Sequence, residues 1–122
     1  MPIKILLVDD DDQFRAVTAI ALESEGCVVQ EVADGYAALA ALQVDLPDVI
    51  VSDLEMPGLD GVMLCRQIRA NPAFDQIPFV IISAFFEADG AELPLQHQAD
   101  SCLSKQLHFR ELYRQITSVC RK

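Results

Sequence analysis

Short apolar runs alternate with helical segments along this chain, and this alternation limits its fold more than any other feature. The runs cover residues 3–8, 28–32, 48–52, 78–82 and, more weakly, 101–104. The first, third and fourth are almost continuously apolar, which is typical of strands buried on both faces. Each run except the last precedes a connection long enough for the crossover helix that parallel strands require. The pattern predicts an α/β fold: a doubly wound five-stranded parallel sheet with helices on both faces, in (βα)5 order.

The connecting segments carry apolar side chains at helical spacing. In the first helix we expect Phe14, Val17, Ile20 and Ala21 to line the buried face, and Gly26 to end the helix. Further helices are predicted around residues 36–42, 62–68 and 112–119. A short or kinked helix is expected over residues 87–98, where a glycine and a proline interrupt the pattern.

Acidic residues dominate the first half of the chain. The 122 residues carry a net charge of −10, and residues 1–61 hold thirteen carboxylates against Lys4 and Arg15. Such a charge disfavours nucleic acid and anionic membrane as direct partners, because association would begin with repulsion. The length predicts a single domain over residues 1–122 with no output domain, and it leaves open whether the chain forms a homodimer.

The cysteines favour a reducing compartment. Cys27, Cys65, Cys102 and Cys120 lack the close spacing of a zinc or redox motif, and we expect Cys27 and Cys102 to be small buried hydrophobic side chains. No apolar run reaches the roughly 18 residues of a membrane span. We therefore expect a soluble protein of the cytoplasm.

Polar side chains follow four of the predicted strands at their carboxyl ends. Asp9 and Asp10 follow the first strand, Asp53 the third, Ser83 the fourth and Lys105 the fifth. In a parallel sheet these ends share one edge, where close carboxylates repel one another unless a cation joins them. Oxygen ligands favour Mg²⁺, and a carboxylate beside a hydroxyl and an ammonium suits phosphoryl chemistry. The residues thus predict a magnesium-dependent phosphoryl site with Asp53 as nucleophile.

Three pieces of the chain resemble the receiver domains of two-component response regulators. They are the sequence ILLVDD at residues 5–10, the sequence DVIVSDLEMPGLDG at residues 48–61, and the downstream Ser83 and Lys105. The middle stretch is long and specific, and the resemblance covers essentially the whole chain. It implies a flavodoxin-like (CheY-like) fold and a signalling switch, with self-catalysed phosphorylation and dephosphorylation of an aspartate in place of enzymatic turnover.

The resemblance also implies roles for individual residues. Asp53 would accept a phosphoryl group from a histidine kinase or a histidine phosphotransfer protein. Asp9, Asp10, Asp53 and the backbone carbonyl of Glu55 would bind Mg²⁺, with Asp10 the more direct ligand of the first pair. Ser83 and Lys105 would contact the phosphoryl group. Pure helix capping is the alternative for the aspartates at 9–12, and we expect either Asp11 or Asp12 to act as a cap.

Some residues depart from the family pattern, mainly in the second half of the chain. Cys102 stands where receiver domains usually have the aromatic residue of the fifth strand. Gln106 replaces a proline that usually follows the lysine through a cis bond, so we expect a trans bond and a changed position for Lys105. Phe85 and Phe86 could either pack inward or form an exposed contact patch.

These departures leave a second interpretation open, a degenerate receiver that binds partners without phosphorylation. A third is a hydrolase of the haloacid-dehalogenase type, which also uses an aspartate after an apolar strand. That family usually has a second aspartate two residues later, where this chain has Glu55, so the third interpretation is the weakest.

Overall fold

The computed structural model describes residues 2–84 and 99–121. Its strands are β1 (Lys4–Val8), β2 (Val28–Val32), β3 (Val49–Asp53), β4 (Phe79–Ser83) and β5 (Ser101–Ser104). Its helices are α1 (Asp12–Ser24), α2 (Gly35–Leu42), α3 (Gly61–Arg69) and α4 (Phe109–Cys120). The expectations for Phe85, Phe86 and the kinked helix over 87–98 lie outside the described residues.

The five strands form one parallel sheet in the order β2-β1-β3-β4-β5. All residues of β3 and β4 are buried, as are four of the five in β1, whereas β2 is an exposed edge strand. The predicted fold, with its three doubly covered strands, is therefore confirmed.

Two layers of apolar side chains lie on opposite faces of the sheet, because successive residues of a strand point to opposite faces. Leu6 and Ile50 contribute to the layer that contains the buried residues of α2 and α3. Ile5 and Val51 contribute to the layer that contains the buried residues of α1 and α4. Cys102 is buried in the first layer and Cys27 in the second, as expected.

Aspartates begin three of the helices. The carboxylates of Asp11, Asp34 and Asp60 accept hydrogen bonds from main-chain N–H groups in the first turns of α1, α2 and α3. Each cap contributes about 1 kcal/mol to helix stability. Asp11 is thus the cap expected in the run of four aspartates, and Gly26, with a φ of 94°, follows the end of α1 as predicted.

The prediction for the buried face of α1 was wrong for Val17 and Ile20, whereas Phe14 packs against the core as expected. Val17 and Ile20 are 52% and 67% exposed, whereas Thr18 and Leu22 are fully buried. Residues four apart from Phe14 form the inward row, and this row includes Thr18. The apolar spacing does not indicate this row, because Thr18 is a polar residue although it is fully buried.

None of the helices in residues 2–84 and 99–121 is both long and apolar enough to cross a bilayer.

Candidate functional site

The strand register brings the predicted site residues to one edge of the sheet. Val8 pairs with Ser52, so Asp9 and Asp53 are at the same level of neighbouring strands. Asp53 pairs with Ile82, and Ser83 pairs with Ser104. Lys105 follows β5 directly, and its main-chain N–H donates to the Ser83 carbonyl oxygen at 3.0 Å. Residues far apart in sequence therefore meet at the carboxyl ends of four strands.

Asp9, Asp10 and Asp53 form a carboxylate cluster. Each offers an oxygen, and these oxygens lie within 4.8 Å of one another. Asp9 is fully buried and Asp53 is 6% exposed, whereas Asp10 is exposed to solvent. The Asp9 Oδ1 atom accepts a hydrogen bond from the Asp11 main-chain N–H at 2.9 Å. Asp9 and Asp53 therefore form the buried part of the cluster, and Asp10 lies on its solvent-facing side.

Lys105 is the ammonium group that contacts the cluster. Its Nζ lies 3.0 Å from Asp9 Oδ2 and 3.5 Å from Asp53 Oδ1. Burial alone would lower the pKa of Lys105, but the contacts with Asp9 and Asp53 outweigh burial and raise it. Lys105 is therefore charged at neutral pH, and it reaches the cluster although Gln106 follows it.

Asp53 is a weaker acid than an ordinary aspartate. Burial, followed by the negative charge of Asp9, raises its pKa from 3.8 to about 7. Lys105 and a hydrogen bond from the Glu55 main chain act in the opposite direction. The carboxylate of Asp53 is thus poised to bind either a proton or another positive charge near neutral pH.

The donor set fits a divalent cation. With all three carboxylates in their charged form, the cluster and the Lys105 ammonium carry a net charge of −2, which an ion of charge +2 would balance. Asp9 Oδ2 is buried and, within residues 2–84 and 99–121, has no aligned hydrogen-bond donor, although Lys105 lies 3.0 Å away. Oxygen ligands with one solvent-facing side match the preference of Mg²⁺ for carboxylates plus water.

The loop after β3 lies close to the site. Glu55 is exposed, so its side chain lies outside the buried part of the cluster. The Gly61 N–H donates to the Leu54 carbonyl at 2.8 Å. A Cβ atom at Gly61 would collide with the Asp53 carbonyl oxygen and lie 3.0 Å from Leu54 Cα. A glycine is thus required where α3 begins against the backbone of Asp53.

Gln106 and Cys102 have structural roles where the family pattern differs. The described residues contain no cis peptide bond, so the bond between Lys105 and Gln106 is trans, as expected. The Gln106 N–H, which a proline would lack, donates to the Ser104 hydroxyl oxygen at 3.0 Å. Cys102 is 3% exposed, and burial, with the neighbouring Cys65, raises its pKa to about 12. Cys102 therefore behaves as an apolar side chain.

Sequence reasoning missed two residues beside the site. Arg15 donates to the Asp9 carbonyl oxygen at 2.6 Å and forms ion pairs with Asp12 and Glu31. Phe14 places its ring centroid 4.5 Å from Lys105 Nζ. One signal for Arg15 was present, because it is one of only two basic residues in the acidic first half of the chain.

A cavity of about 730 Å³ lies near the amino-terminal ends of the strands, away from this cluster. Among its lining residues, Arg69 contacts Asp100 at 2.9 Å and donates to the Ile77 carbonyl at 2.8 Å. Asp100 also accepts from the Phe79 N–H at 2.8 Å. These groups hold loops against strands. Because their contacts are structural, we propose no ligand or reaction for this cavity.

Comparisons with known proteins agree with this geometry. The model of the response regulator receiver domain family matches residues 5–117. The transcriptional regulatory protein CseB of Streptomyces coelicolor is 36% identical over 118 residues, which are 97% of this chain and 49% of CseB. The chain thus spans about half the length of this relative.

Two solved receiver domains share the fold. The receiver domain of Francisella response regulator 1452 has a TM-score of 0.87 and 28% identity, over 98% of this chain and 97% of that one. The receiver domain of sensor histidine kinase PA1611 from Pseudomonas aeruginosa has a TM-score of 0.85 and 28% identity over the full length of both chains, and it holds a magnesium ion in its active-site cleft. With a family match across nearly its whole length, the chain belongs to the receiver domains of response regulators.

Proposed function

We propose that this chain accepts a phosphoryl group on Asp53 from the phosphohistidine of a histidine kinase or a histidine phosphotransfer protein. The observation that carries the proposal is the buried Asp53 carboxylate, which shares a 4.8 Å cluster with Asp9 and Asp10 and lies 3.5 Å from Lys105. Receiver domains interact with histidine kinases, which makes a phosphohistidine the donor of choice. Phosphorylation of Asp53 would change the affinity of the domain for a protein partner in the cytoplasm.

Asp53 would act as the nucleophile. Its carboxylate oxygen forms a bond to phosphorus as the bond between phosphorus and the donor imidazole nitrogen breaks, and the imidazole leaves. Asp9, Asp10, Asp53 and the Glu55 backbone carbonyl would hold Mg²⁺, which supplies positive charge to the phosphoryl oxygens when bound. The product is an acyl phosphate that shifts the domain between two conformations.

Lys105 and Ser83 would bind the transferred group. The Lys105 ammonium already lies between Asp9 and Asp53, so it needs little movement to contact a phosphoryl oxygen on Asp53. Ser83 ends β4 next to β5 and is 1% exposed, and its hydroxyl would donate a hydrogen bond to another phosphoryl oxygen. Such preorganised donors stabilise developing charge without rearrangement.

The proposal is tested with acetyl phosphate and Mg²⁺, followed by mass spectrometry of the intact chain. We expect one added phosphoryl group in the parent protein, located on Asp53, and none after removal of divalent ions with EDTA. The Asp53→Asn variant should stay unmodified. Glu55→Gln is the matched control, because only its main chain has a proposed role, and it should be modified like the parent.

Two results would overturn the proposal: a folded parent protein that gains no phosphoryl group with Mg²⁺, or an Asp53→Asn variant that is modified as readily as the parent. Beryllofluoride gives an independent readout, since it should bind only when Mg²⁺ is present.

A second candidate function is partner binding without phosphorylation. Its support is Cys102, a small buried side chain where receiver domains usually have an aromatic residue. A thiol packed in the core cannot rotate between buried and exposed positions as a large ring could. A conformational change at Asp53 would then lack one way of reaching β5, which is an outer strand of the sheet.

Amide chemical shifts with and without beryllofluoride separate the two functions. A phosphorylation switch predicts shift changes that extend from the site to β5 and α4. Changes confined to residues near Asp53 would favour the phosphorylation-independent function.

A further inference from the structure

Phe14 faces the ammonium group of the candidate site. It lies in the first turn of α1, immediately after the run of aspartates, and its ring centroid is 4.5 Å from Lys105 Nζ. This distance is well within the range at which an ammonium is attracted to the face of an aromatic ring. Lys105 therefore contacts two carboxylates and one ring.

A second ring restricts the position of Phe14. Phe109, at the start of α4, lies 6.5 Å away between centroids with an interplanar angle of 42°. Both rings are half-buried and pack with Leu107 against the core layer under α1 and α4. Tilted aromatic pairs of this kind are favourable, so the face that Phe14 presents to Lys105 is fixed by two helices.

We infer that Phe14 is a positioning residue for Lys105, holding its ammonium by a cation–π contact within reach of the acceptor Asp53. The inference rests on the proposed phosphoryl transfer for its consequence, but the contact itself can be measured without a phosphodonor. Through Phe14, α1 would contribute to the reaction in addition to the proposed metal-binding carboxylates that precede the helix.

Lys105 needs such a restraint because of its own flexibility. A lysine side chain has four rotatable bonds, and holding it in one position costs conformational entropy. Its side chain is 15% exposed, so the ring contact forms in a largely desolvated place, where cation–π contacts are strongest. Without the ring, Lys105 would still pair with Asp9, but it would reach a phosphoryl group on Asp53 in a smaller fraction of molecules.

The contact predicts a signature in the protein without any phosphodonor. The chain contains Lys4, Lys105 and Lys122, so isotope-labelled lysine gives few side-chain NMR signals. The ring current of Phe14 should move the Cε protons of Lys105 upfield relative to those of Lys4. Phe14→Leu should abolish this shift and Phe14→Tyr should keep it; a Lys105 signal that is the same in all three proteins would overturn the contact.

The catalytic consequence is tested with fluorinated phenylalanines at position 14. Added fluorines weaken the negative ring face while leaving its size nearly unchanged, so every protein should fold. We expect phosphorylation by acetyl phosphate to slow progressively along the series, by about 3- to 10-fold overall. The same series at Phe74, which is buried in the opposite core layer, should leave the rate unchanged.

The outcomes separate this inference from the proposed function. Equal rates across the series at position 14 would overturn the positioning role even if the parent is phosphorylated normally. If the parent takes up no phosphoryl group, the proposed function fails together with the catalytic consequence, while the NMR comparison still decides whether Phe14 holds Lys105.

Discussion

Burial and the charge of Asp9 control the protonation of Asp53. In the folded chain its pKa is about 7, against 3.8 for an ordinary aspartate. Between these two values the folded state holds a proton that the unfolded state releases. For an acid with a raised pKa, the free energy of unfolding therefore falls as pH rises from about 4 to about 7.

Asp53→Asn should remove this pH dependence. In the absence of divalent ions we expect the variant to be more stable than the parent at pH 8 by roughly 1–4 kcal/mol, with a much smaller difference at pH 4.5. Urea unfolding at the two pH values measures this, with Glu23→Gln, an exposed carboxylate on α1, as the control. A difference that is equal at both pH values would contradict the prediction.

Arg15 fixes the main chain beside the carboxylate cluster of Asp9, Asp10 and Asp53. Its side chain is 15% exposed and joins the end of β1, the start of α1 and the end of β2 through Asp9, Asp12 and Glu31. We expect Arg15→Leu to destabilise the fold by about 1–3 kcal/mol and to weaken Mg²⁺ binding. Unfolding and Mg²⁺ titrations test both effects.

Arg114 provides a matched control for this prediction. Its side chain is 72% exposed and pairs with Glu111 on the same helix, so Arg114→Leu should change stability by less than about 0.5 kcal/mol. If the two arginine variants behave alike, Arg15 has no special role at the site.

Sequence predicted the residues that follow the strands better than the residues around them. The meeting of Asp9, Asp10, Asp53 and Lys105 was predicted because the carboxyl ends of parallel strands lie at one edge of a sheet. Phe14 and Arg15 were not, because their contacts depend on the rotation of α1 about its axis. That rotation is set by packing, which the sequence pattern describes only approximately.

At the scale of elements, α1 shows why hydropathy alone fails. Its inward row contains Thr18, whose Oγ1 atom is buried with no hydrogen-bond partner in the described part of the chain. Val17 and Ile20 point outward although both are more apolar. The helices predicted around residues 62–68 and 112–119 are present as α3 and α4.

Replacing this buried hydroxyl with a methyl group should stabilise the fold. We expect Thr18→Val to raise the free energy of unfolding by up to about 1 kcal/mol, because an unsatisfied polar group is costly to bury. Thr117→Val is the control, since the Thr117 hydroxyl donates to the Arg114 carbonyl at 2.8 Å and its loss should not stabilise. Chemical denaturation measures both, and a Thr18→Val variant less stable than the parent would contradict the prediction.

For the molecule as a whole, the net charge of −10 has identifiable components. Some carboxylates cap helices, some pair with Arg15, and three form the cluster at the sheet edge. Within residues 2–84 and 99–121, only the last group offers a cation several oxygens at once. A divalent ion should therefore affect stability much more than monovalent salt of equal ionic strength.

Mg²⁺ should raise the thermal midpoint of unfolding in a saturable manner. A ligand at one hundred times its dissociation constant stabilises the folded state by about 2.7 kcal/mol, provided that the unfolded chain does not bind it. Asp10→Asn should abolish most of this gain, whereas Glu23→Gln should keep it. Calorimetry at increasing Mg²⁺ tests the prediction, which an equal response of the two variants would contradict.

The wide separation in sequence of the residues at the sheet edge also bears on how the molecule folds. Asp9 follows β1 near the start of the chain, and Lys105 follows β5, the last strand along the sequence. Until β5 docks, the carboxylates that follow β1 and the Asp53 carboxylate at the end of β3 lie close together without the Lys105 ammonium. Their repulsion therefore opposes early closure of the sheet. Docking of β5 would relieve this repulsion, and cluster and sheet edge would be completed in the same folding step. Binding of a divalent ion to the complete cluster would then report that β5 has docked.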